Sequence, residues 1–253
     1  MLRGLLRPRW ILLHVGIAVL VALMVNFALW QAQRLDERRA FNATVSVRSQ
    51  EPVVPLADLA GTAAGAPSSV EWRRVSVPGT YDVAGTVTIV NRSSNGAAGY
   101  DQLVPLRTDG LGIVLVNRGF VPLATAPDSP VPSAPVTAVG YLRVTQTRGT
   151  LGAVDSTDPA TVEFQRIDVP LISRKFGGTV FPLYLQLVAE TPPTGADWPA
   201  PVAFPELSEG SHQSYVFQWS FFSLVAVAGW VVVVRRKWRA GAPVSGSPVR
   251  TSA

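Results

Sequence analysis

Two long apolar runs, one near each end of the chain, dominate the pattern of hydrophobic and polar positions. The first extends from Trp10 to Trp30 and the second from Val216 to Val234. As helices they would measure about 31 Å and about 28 Å, close to the roughly 30 Å hydrocarbon core of a bilayer. Tryptophan stands at both ends of the first run, as in the aromatic belts of membrane helices. The pattern therefore predicts two transmembrane helices, residues 10–30 and 216–234.

Basic residues beside the second run predict the orientation of the chain. Four of the five residues at 235–239 are Lys or Arg, whereas residues 196–215 contain neither. Because cytoplasmic flanks carry the excess of basic residues, the C-terminus is expected in the cytoplasm. Two spans return the chain to its starting side, so residues 1–9 and 235–253 are both expected there. Residues 31–215 are then extracytoplasmic.

A signal peptide is the alternative interpretation of the first run, because Arg3, Arg7 and Arg9 precede it as a charged start would. The run is longer than the usual core of a signal peptide, and no A-x-A cleavage site follows it. We therefore expect an uncleaved anchor. Two spans, a basic cytoplasmic tail and no recognisable transit peptide favour the plasma membrane of a bacterium.

Between the runs, short strand-like stretches separated by turn residues predict a mainly β domain. The predicted strands are Val70–Val77, Thr86–Val90, Gly112–Asn117, Phe120–Leu123, Val136–Gln146 and Val180–Val188. Helices are predicted at Gln33–Val47, which extends the first span, and at Val169–Phe176, with Asp168 as N-cap. The fold class is thus a membrane protein with two transmembrane helices flanking one mainly β (α+β) domain.

Small and proline-rich segments punctuate this domain. Gly61–Ser69, Ala124–Pro135 and Thr191–Pro205 are predicted to be flexible linkers or loops. Ala240–Ala253 is predicted to be a disordered cytoplasmic tail.

Composition excludes several classes of function. The net charge is +5, but the basic residues cluster beside the apolar runs, so nucleic acid is not an expected partner. The absence of cysteine excludes disulfides, covalent c-type haem and thiolate metal sites. His14 and His212 are the only histidines, too few for a dedicated copper chaperone. The chain has no G-x-S-x-G or H-E-x-x-H motif, so we do not expect an enzyme.

Polar and aromatic residues gather at the outer end of the two runs. On a helix that leads into the second run, five residues fall within an arc of about 120°. They are His212, Tyr215, Gln218, Trp219 and Phe222. From the first run, Trp30, Gln31 and Arg34 reach the same level. Interface anchoring alone would also explain Tyr and Trp here, but an amide such as Gln218 needs a partner in hydrocarbon. These residues predict a surface for helix packing or ligand contact.

Five motifs occur in order along the chain. They are W-Q-x-x-R at 30–34, R-x-V-x-V-x-G-x-Y at 73–81, G-Y-D-Q-L-V-P-L-R at 99–107, V-N-R-G-F-V-P at 116–122 and H-x-x-Y-x-x-Q-W at 212–219. Together they resemble the Surfeit locus protein 1 family, membrane factors for cytochrome c oxidase assembly. The fourth and fifth motifs in combination are fairly specific for that family.

The resemblance implies a non-enzymatic assembly factor for haem–copper oxidase that handles haem a during delivery to the catalytic subunit. Haem a is then a transient cofactor. The implied partners are the oxidase catalytic subunit, the haem a synthesis machinery and the lipid bilayer. His212 matches the histidine proposed as haem ligand in bacterial relatives. The other residues of the implied cofactor site are Tyr215, Gln218, Trp219, Trp30, Gln31 and Arg34.

Two points stay open at this stage. Asn117, Arg118 and Gly119 are expected to form either a tight hairpin turn or a docking contact with the oxidase. The function has two alternatives: a membrane scaffold that stabilises oxidase intermediates without binding haem, and a cell-envelope sensor or adaptor unrelated to respiration.

Overall fold

The structure, a computed structural model, describes residues 7–124 and 128–240. The chain divides into two units, Met1–Ala43 with Leu207–Ala253 and Thr44–Glu206. The predicted disorder of the C-terminal tail falls on residues outside the described ranges, apart from Ala240. The predicted loop Ala124–Pro135 is described except for residues 125–127.

Two long helices stand near the ends of the described chain. Helix α1 comprises Pro8–Gln50, and helix α4 comprises His212–Ala240. Both are long and apolar enough to cross a membrane, which is compatible with a two-span membrane protein. Large apolar side chains remain exposed on both helices, for example Leu12 at 72% and Leu224 at 70%. Such exposure is unfavourable in water and expected in lipid.

The predicted helical extension of the first span is confirmed, because α1 continues without a break to Gln50. Polar pairs one turn apart support this part of the helix. Arg34 forms an ion pair of 2.7 Å with Glu37, and Gln33 donates to the same carboxylate at 3.2 Å. Side chains three and four residues apart are neighbours on a helix, so these pairs stabilise it locally.

The second unit is built on a closed sheet. Its strands are β1 Val54–Pro55, β2 Arg74–Tyr81, β3 Val87–Ser94, β4 Ala97–Thr108, β5 Gly112–Pro122, β6 Val136–Arg143, β7 Glu163–Phe164 and β8 Tyr184–Thr191. The neighbours run β2, β6, β8, β5 and β4, and β4 returns to pair with β2. The pairing of Thr80 with Arg107 belongs to this closing contact. The five strands form a small barrel, which removes the exposed edges of an open sheet.

The remaining strands lie beside this barrel. β1 pairs with β2, β3 pairs with β4, and β7 pairs with the outer side of β3. Most pairs are antiparallel, but β5 and β8 run parallel, with Asn117 beside Gln186. The mainly β character predicted for this part of the chain is confirmed.

Two apolar clusters occupy the two faces of the strands. One includes Val77, Val114 and Leu185, and helix α2, Leu56–Gly65, contributes Leu56 to it. The other includes Leu103, Leu115 and Tyr184 and is covered by helix α3, Val169–Ile172. Alternate residues of a strand point to opposite faces, so β5 supplies both clusters and is buried almost throughout.

The helix predicted at Val169–Phe176 is confirmed in place and capping. It forms α3 and continues as a 3₁₀ turn at Ser173–Lys175. The Asp168 side chain accepts a hydrogen bond from the Leu171 amide at 3.1 Å, as an N-cap does.

Several sequence-based boundaries are wrong. The segment Gly61–Ser69 was expected to be flexible, but most of it belongs to α2 and a 3₁₀ turn at Pro67–Ser69. The strand expected from Val70 begins at Arg74, because Trp72 has a φ of 70° that interrupts extended backbone. Strand β4 was missed altogether.

The hairpin turn expected at residues 117–119 is also wrong, since these residues lie inside β5. Gly119 has a φ of 127°, but it serves a close approach within the sheet. A Cβ at Gly119 would lie 2.0 Å from the Ala200 carbonyl oxygen, so no larger residue fits. The adjacent Phe120 exchanges two backbone hydrogen bonds with Ala200, at 2.8 and 2.9 Å.

Asn117 and Arg118 do not form the docking surface that was the other expectation. Their exposed fractions are only 4% and 3%. The Arg118 guanidinium is 2.8 Å from Glu190 and 2.8 Å from the side-chain oxygen of Gln102. Tyr81 donates to the second oxygen of Glu190 at 3.0 Å, and burial raises the pKa of this phenol. The arginine therefore joins β2, β4, β5 and β8 from inside the domain.

This buried ion pair generates a stability prediction. Glu190→Gln removes one charge and leaves Arg118 buried without its counterion, so the free energy of unfolding should fall by about 3–5 kcal/mol. Arg107→Gln is the control, because its ion pair with Asp82 is more than half exposed on the arginine side. It should cost at most about 1 kcal/mol. The measurement is urea unfolding of the full chain in detergent, followed by tryptophan fluorescence. Equal losses in the two variants would contradict the assignment.

Candidate functional site

The two long helices of the first unit pack against each other in antiparallel fashion. Near one end of the pair, the Trp230 indole donates to His14 Nδ1 at 2.9 Å. Further along, the rings of Phe27 and Trp219 lie 5.1 Å apart. Ser223 is buried near this contact and donates to the Trp219 carbonyl oxygen at 2.8 Å. Polar groups on the apolar helices thus find partners within the pair, as a hydrocarbon surrounding requires.

His212 and Gln31 meet at the other end of the pair. His212 Nδ1 lies 2.8 Å from Gln31 Oε1. An amide oxygen only accepts hydrogen bonds, so Nδ1 carries the proton and Nε2 keeps its lone pair. In metal-binding histidines, an acceptor bonded to the other ring nitrogen fixes the tautomer and the ring orientation in the same way. The contact thus leaves Nε2 available as an acceptor or a ligand.

Gly210 leaves space beside that nitrogen. Its φ is 67°, a left-handed conformation that glycine adopts without strain. A Cβ at this position would lie 3.7 Å from His212 Cδ2 and 4.0 Å from Nε2. The glycine therefore both turns the chain into α4 and leaves the Nε2 edge of the imidazole uncovered on this side.

A polar clamp holds the segment just before His212 against α1. Arg39 forms two parallel hydrogen bonds with Glu209, at 2.8 and 3.0 Å. This bonding raises the pKa of Arg39 and lowers the pKa of Glu209. Asn42 donates to the carbonyl oxygens of Leu207 and Ser208 at 3.0 and 3.2 Å. Together these contacts fix where α4 begins and hence where His212 lies.

The other predicted site residues are arranged around this contact to different degrees. The Arg34 guanidinium lies 5.8 Å from the Trp30 ring centroid, so these two residues contact each other. Trp219 contacts Phe222 edge-on at 6.3 Å, as well as Phe27. Of the predicted set, only Gln31 and His212 share a hydrogen bond across the two helices.

Tyr215 and Gln218 lie on the outside of α4. Tyr215 is 43% exposed and Phe222 40%, and Gln218 is exposed as well. Within residues 7–124 and 128–240, no hydrogen-bond partner is present for the Gln218 amide. The surface beside His212 is therefore aromatic and carries one unsatisfied amide. Gln218 still needs a partner, as its position in an apolar segment predicts.

Sequence reasoning missed three contributors to this site. Phe27 lies one turn before Gln31 on the same face of α1, so helical spacing could have identified it. Gly210 could have been identified as the residue that turns the chain into α4. The pairing of Arg39 with Glu209 joins residues 170 positions apart, and no local pattern indicates it.

The donor set fits an axial haem ligand better than a bare metal ion. Among the residues that the structure describes, no group of three or more His, Asp or Glu side chains could hold an ion. One imidazole with an orienting partner is sufficient for haem iron, which the macrocycle already coordinates. An apolar cavity of about 420 Å³ also lies between the helices, lined by residues such as Ala28, Leu29 and Ser220.

A small β-barrel, flanked in sequence by two helices long and apolar enough to span a membrane, is compatible with a two-span membrane protein. The SURF1 family model matches residues 18–224, which is most of the chain. A SURF1-like protein of Mycobacterium tuberculosis (strain ATCC 25618 / H37Rv) is 28% identical over 257 residues, covering 97% of this chain and 93% of the relative. A SURF1-like protein of Monosiga brevicollis is 28% identical over 236 residues, covering 87% of each. The chain belongs to the SURF1 family.

The assigned tautomers generate a prediction that needs no cofactor. Histidine labelled with ¹⁵N reports only His14 and His212. Above the pH at which imidazole protonates, His212 should carry its proton on Nδ1, whereas His14 should carry it on Nε2 because its Nδ1 accepts from Trp230. Gln31→Leu should move the His212 proton toward Nε2, and Gln33→Leu, an exposed control, should not. The measurement is the ¹⁵N chemical shifts in detergent; one shared tautomer for both histidines would contradict the site geometry.

Proposed function

We propose that this chain is a non-enzymatic assembly factor for haem–copper cytochrome c oxidase that assists the handling of haem a or its insertion into the catalytic subunit. Membership of the SURF1 family supports the first half of this statement, since the family is known generally for oxidase assembly. The contact between Gln31 and His212 supports the second half. The oxidase catalytic subunit and the haem a synthesis machinery are the proposed partners.

The proposed location is the plasma membrane of a bacterium, with both termini in the cytoplasm and the barrel domain outside. The basic cluster at residues 235–239 beside the end of the apolar part of α4 supports this orientation. The other end of α4, where His212 begins the helix, then lies at the outer surface of the bilayer. A cofactor held there would be at the membrane interface.

The single observation that carries the cofactor role is the 2.8 Å contact of His212 Nδ1 with Gln31 Oε1. Haem iron offers axial positions to an imidazole nitrogen. His212 would supply Nε2 as the ligand, and Gln31 would hold the ring in the required tautomer. Gly210 would keep the ligand side open.

The neighbouring residues have supporting roles in this proposal. Trp30, Tyr215 and Trp219 would offer aromatic surface to a largely apolar cofactor. Gln218 would use its unsatisfied amide on a polar substituent, and Arg34 would place a cation near carboxylates, although it already pairs with Glu37. Asn117, Arg118 and Gly119 are not part of the proposed contact with the oxidase, because the first two are buried.

The test uses protein purified from membranes that also make haem a. His212→Ala should reduce the haem retained by the chain at least about tenfold, because the iron loses its protein ligand. His14→Ala is the matched control, since it removes the other histidine at the opposite end of the helix pair. Pyridine-haemochrome spectra measure retained haem, and oxidase spectra measure haem a delivered in cells.

The same variants separate the alternatives. Unchanged haem in the His212→Ala protein would exclude His212 as the ligand. A wild-type chain that retains no haem, together with normal oxidase in cells that carry His212→Ala, would favour a scaffold that never binds haem. Normal oxidase after deletion of the whole chain would contradict the assembly role and favour a sensor or adaptor.

A further inference from the structure

A polar cavity of about 250 Å³ lies within the barrel unit. It begins where one face of the sheet changes from apolar to polar. Three strands, β4, β5 and β8, each carry a buried polar residue at this level: Asp101, Asn117 and Gln186. Each of them lies two positions from a residue of the second apolar cluster: Leu103, Leu115 and Tyr184. A continuous apolar core would have apolar residues at all three positions, because burying polar side chains is costly. This end of the face is therefore not part of the apolar core.

The three polar residues are linked across the strands. Asn117 donates to Asp101 at 3.1 Å, and Asn117 and Gln186 are register partners of the parallel pair. The Gln186 amide in turn donates to the Val202 carbonyl oxygen at 3.3 Å, which ties the chain at 201–203 over the cavity. The cavity therefore has a fixed polar floor and one fixed wall.

Two arginines line the same cavity, and neither is fully satisfied. The buried Nε of Arg92 lies 3.5 Å from Asp101 without forming a hydrogen bond, and one terminal nitrogen of Arg92 donates to Gln146 at a long 3.4 Å. Arg143 donates to Gln186 at 3.0 Å and lies 3.2 Å from Glu71. Within the described part of the chain, one terminal nitrogen of each guanidinium has no acceptor.

Charge around the cavity favours an anion. Arg92 and Arg143 contribute two positive charges, and Glu71, which pairs with Arg143, lies outside the lining. The two arginine side chains are 28% and 24% exposed, so they are screened only in part. Asp101 is the only acidic residue that lines the cavity. Burial raises the pKa of Asp101, while its contacts with Asn117 and Arg92 oppose this shift.

We propose that this cavity binds a carboxylate group, carried either by a small organic acid or by the C-terminus of a protein chain. Planar carboxylates match the paired donors of arginine and accept two parallel hydrogen bonds from them. Amide donors from Asn117 and Gln186 lie on the floor, and Phe120 and Pro201 supply apolar wall for a short carbon chain. The volume is below the range of about 300–1,000 Å³ for drug-sized ligands, which favours a small group. Asp101 disfavours a doubly charged anion such as phosphate.

The proposal is independent of the haem role, since every lining residue belongs to Thr44–Glu206. The probe is succinate, titrated into the full-length chain in detergent and followed by saturation-transfer NMR. Arg92→Gln should weaken binding at least about tenfold, since a charge-assisted hydrogen bond is lost. Arg174→Gln is the control, because it makes the same charge change at an exposed position outside the cavity. Asp101→Asn should strengthen binding several-fold.

Arg143→Gln should also weaken binding. It also removes the stacking of this guanidinium on Trp72 at 3.7 Å. If the Arg143→Gln protein does not fold, Arg92→Gln alone tests the proposal. The peptide Gly-Gly-Gly and its C-terminal amide separate the two sources of carboxylate. Competition by the free acid form, and not by the amide, assigns the site to a chain terminus, whereas succinate binding without peptide competition assigns it to a small acid. No succinate or peptide binding by the wild type, or equal binding by the Arg92→Gln and Arg174→Gln variants, would overturn the proposal.

Discussion

The pairing of α1 with α4 is the constraint on which the candidate site depends. Each helix alone would leave polar groups of its apolar part without partners, and pairing joins two pairs of them across the helices. The contact of His14 with Trp230 holds one end, and the contact of Gln31 with His212 holds the other. The two histidines therefore carry their protons on different ring nitrogens. The lone pair of His14 Nδ1 accepts from the Trp230 indole, whereas the lone pair of His212 Nε2 is available.

The barrel unit solves the same problem of buried polarity in a different way. Its strand pairings close a sheet of five strands. Charged residues remain inside the unit, where Arg118 and Glu190 neutralise each other. Such a pair contributes little net stability, yet removing one partner is costly, so it specifies one arrangement of strands. The cavity beside Arg92 and Arg143 differs, because its ion pairs are longer, at 3.5 Å with Asp101 and 3.2 Å with Glu71, and both arginines are partly exposed.

Sequence reasoning succeeded where one period or one length decided the structure. The two terminal helices follow from apolar length, and the capped α3 follows from Asp168. It failed in β5, because a strand buried on both faces shows no alternation and Gly119 looks like a turn. At the site, His212 and Gln31 were identified from the motifs and the helical face. The arginine cavity was not, since its residues come from separate strands and loops that only the folded sheet brings together.

In the proposed orientation, the His212 end of the helix pair faces away from the cytoplasm. Because the chain has no cysteine, single cysteines introduced at Leu151 and Trp238, which are 100% and 59% exposed, can be labelled without background. A membrane-impermeant thiol reagent applied to intact cells should label the cysteine at 151 and should reach the one at 238 only after lysis. Labelling at 238 in intact cells, with none at 151, would contradict the account.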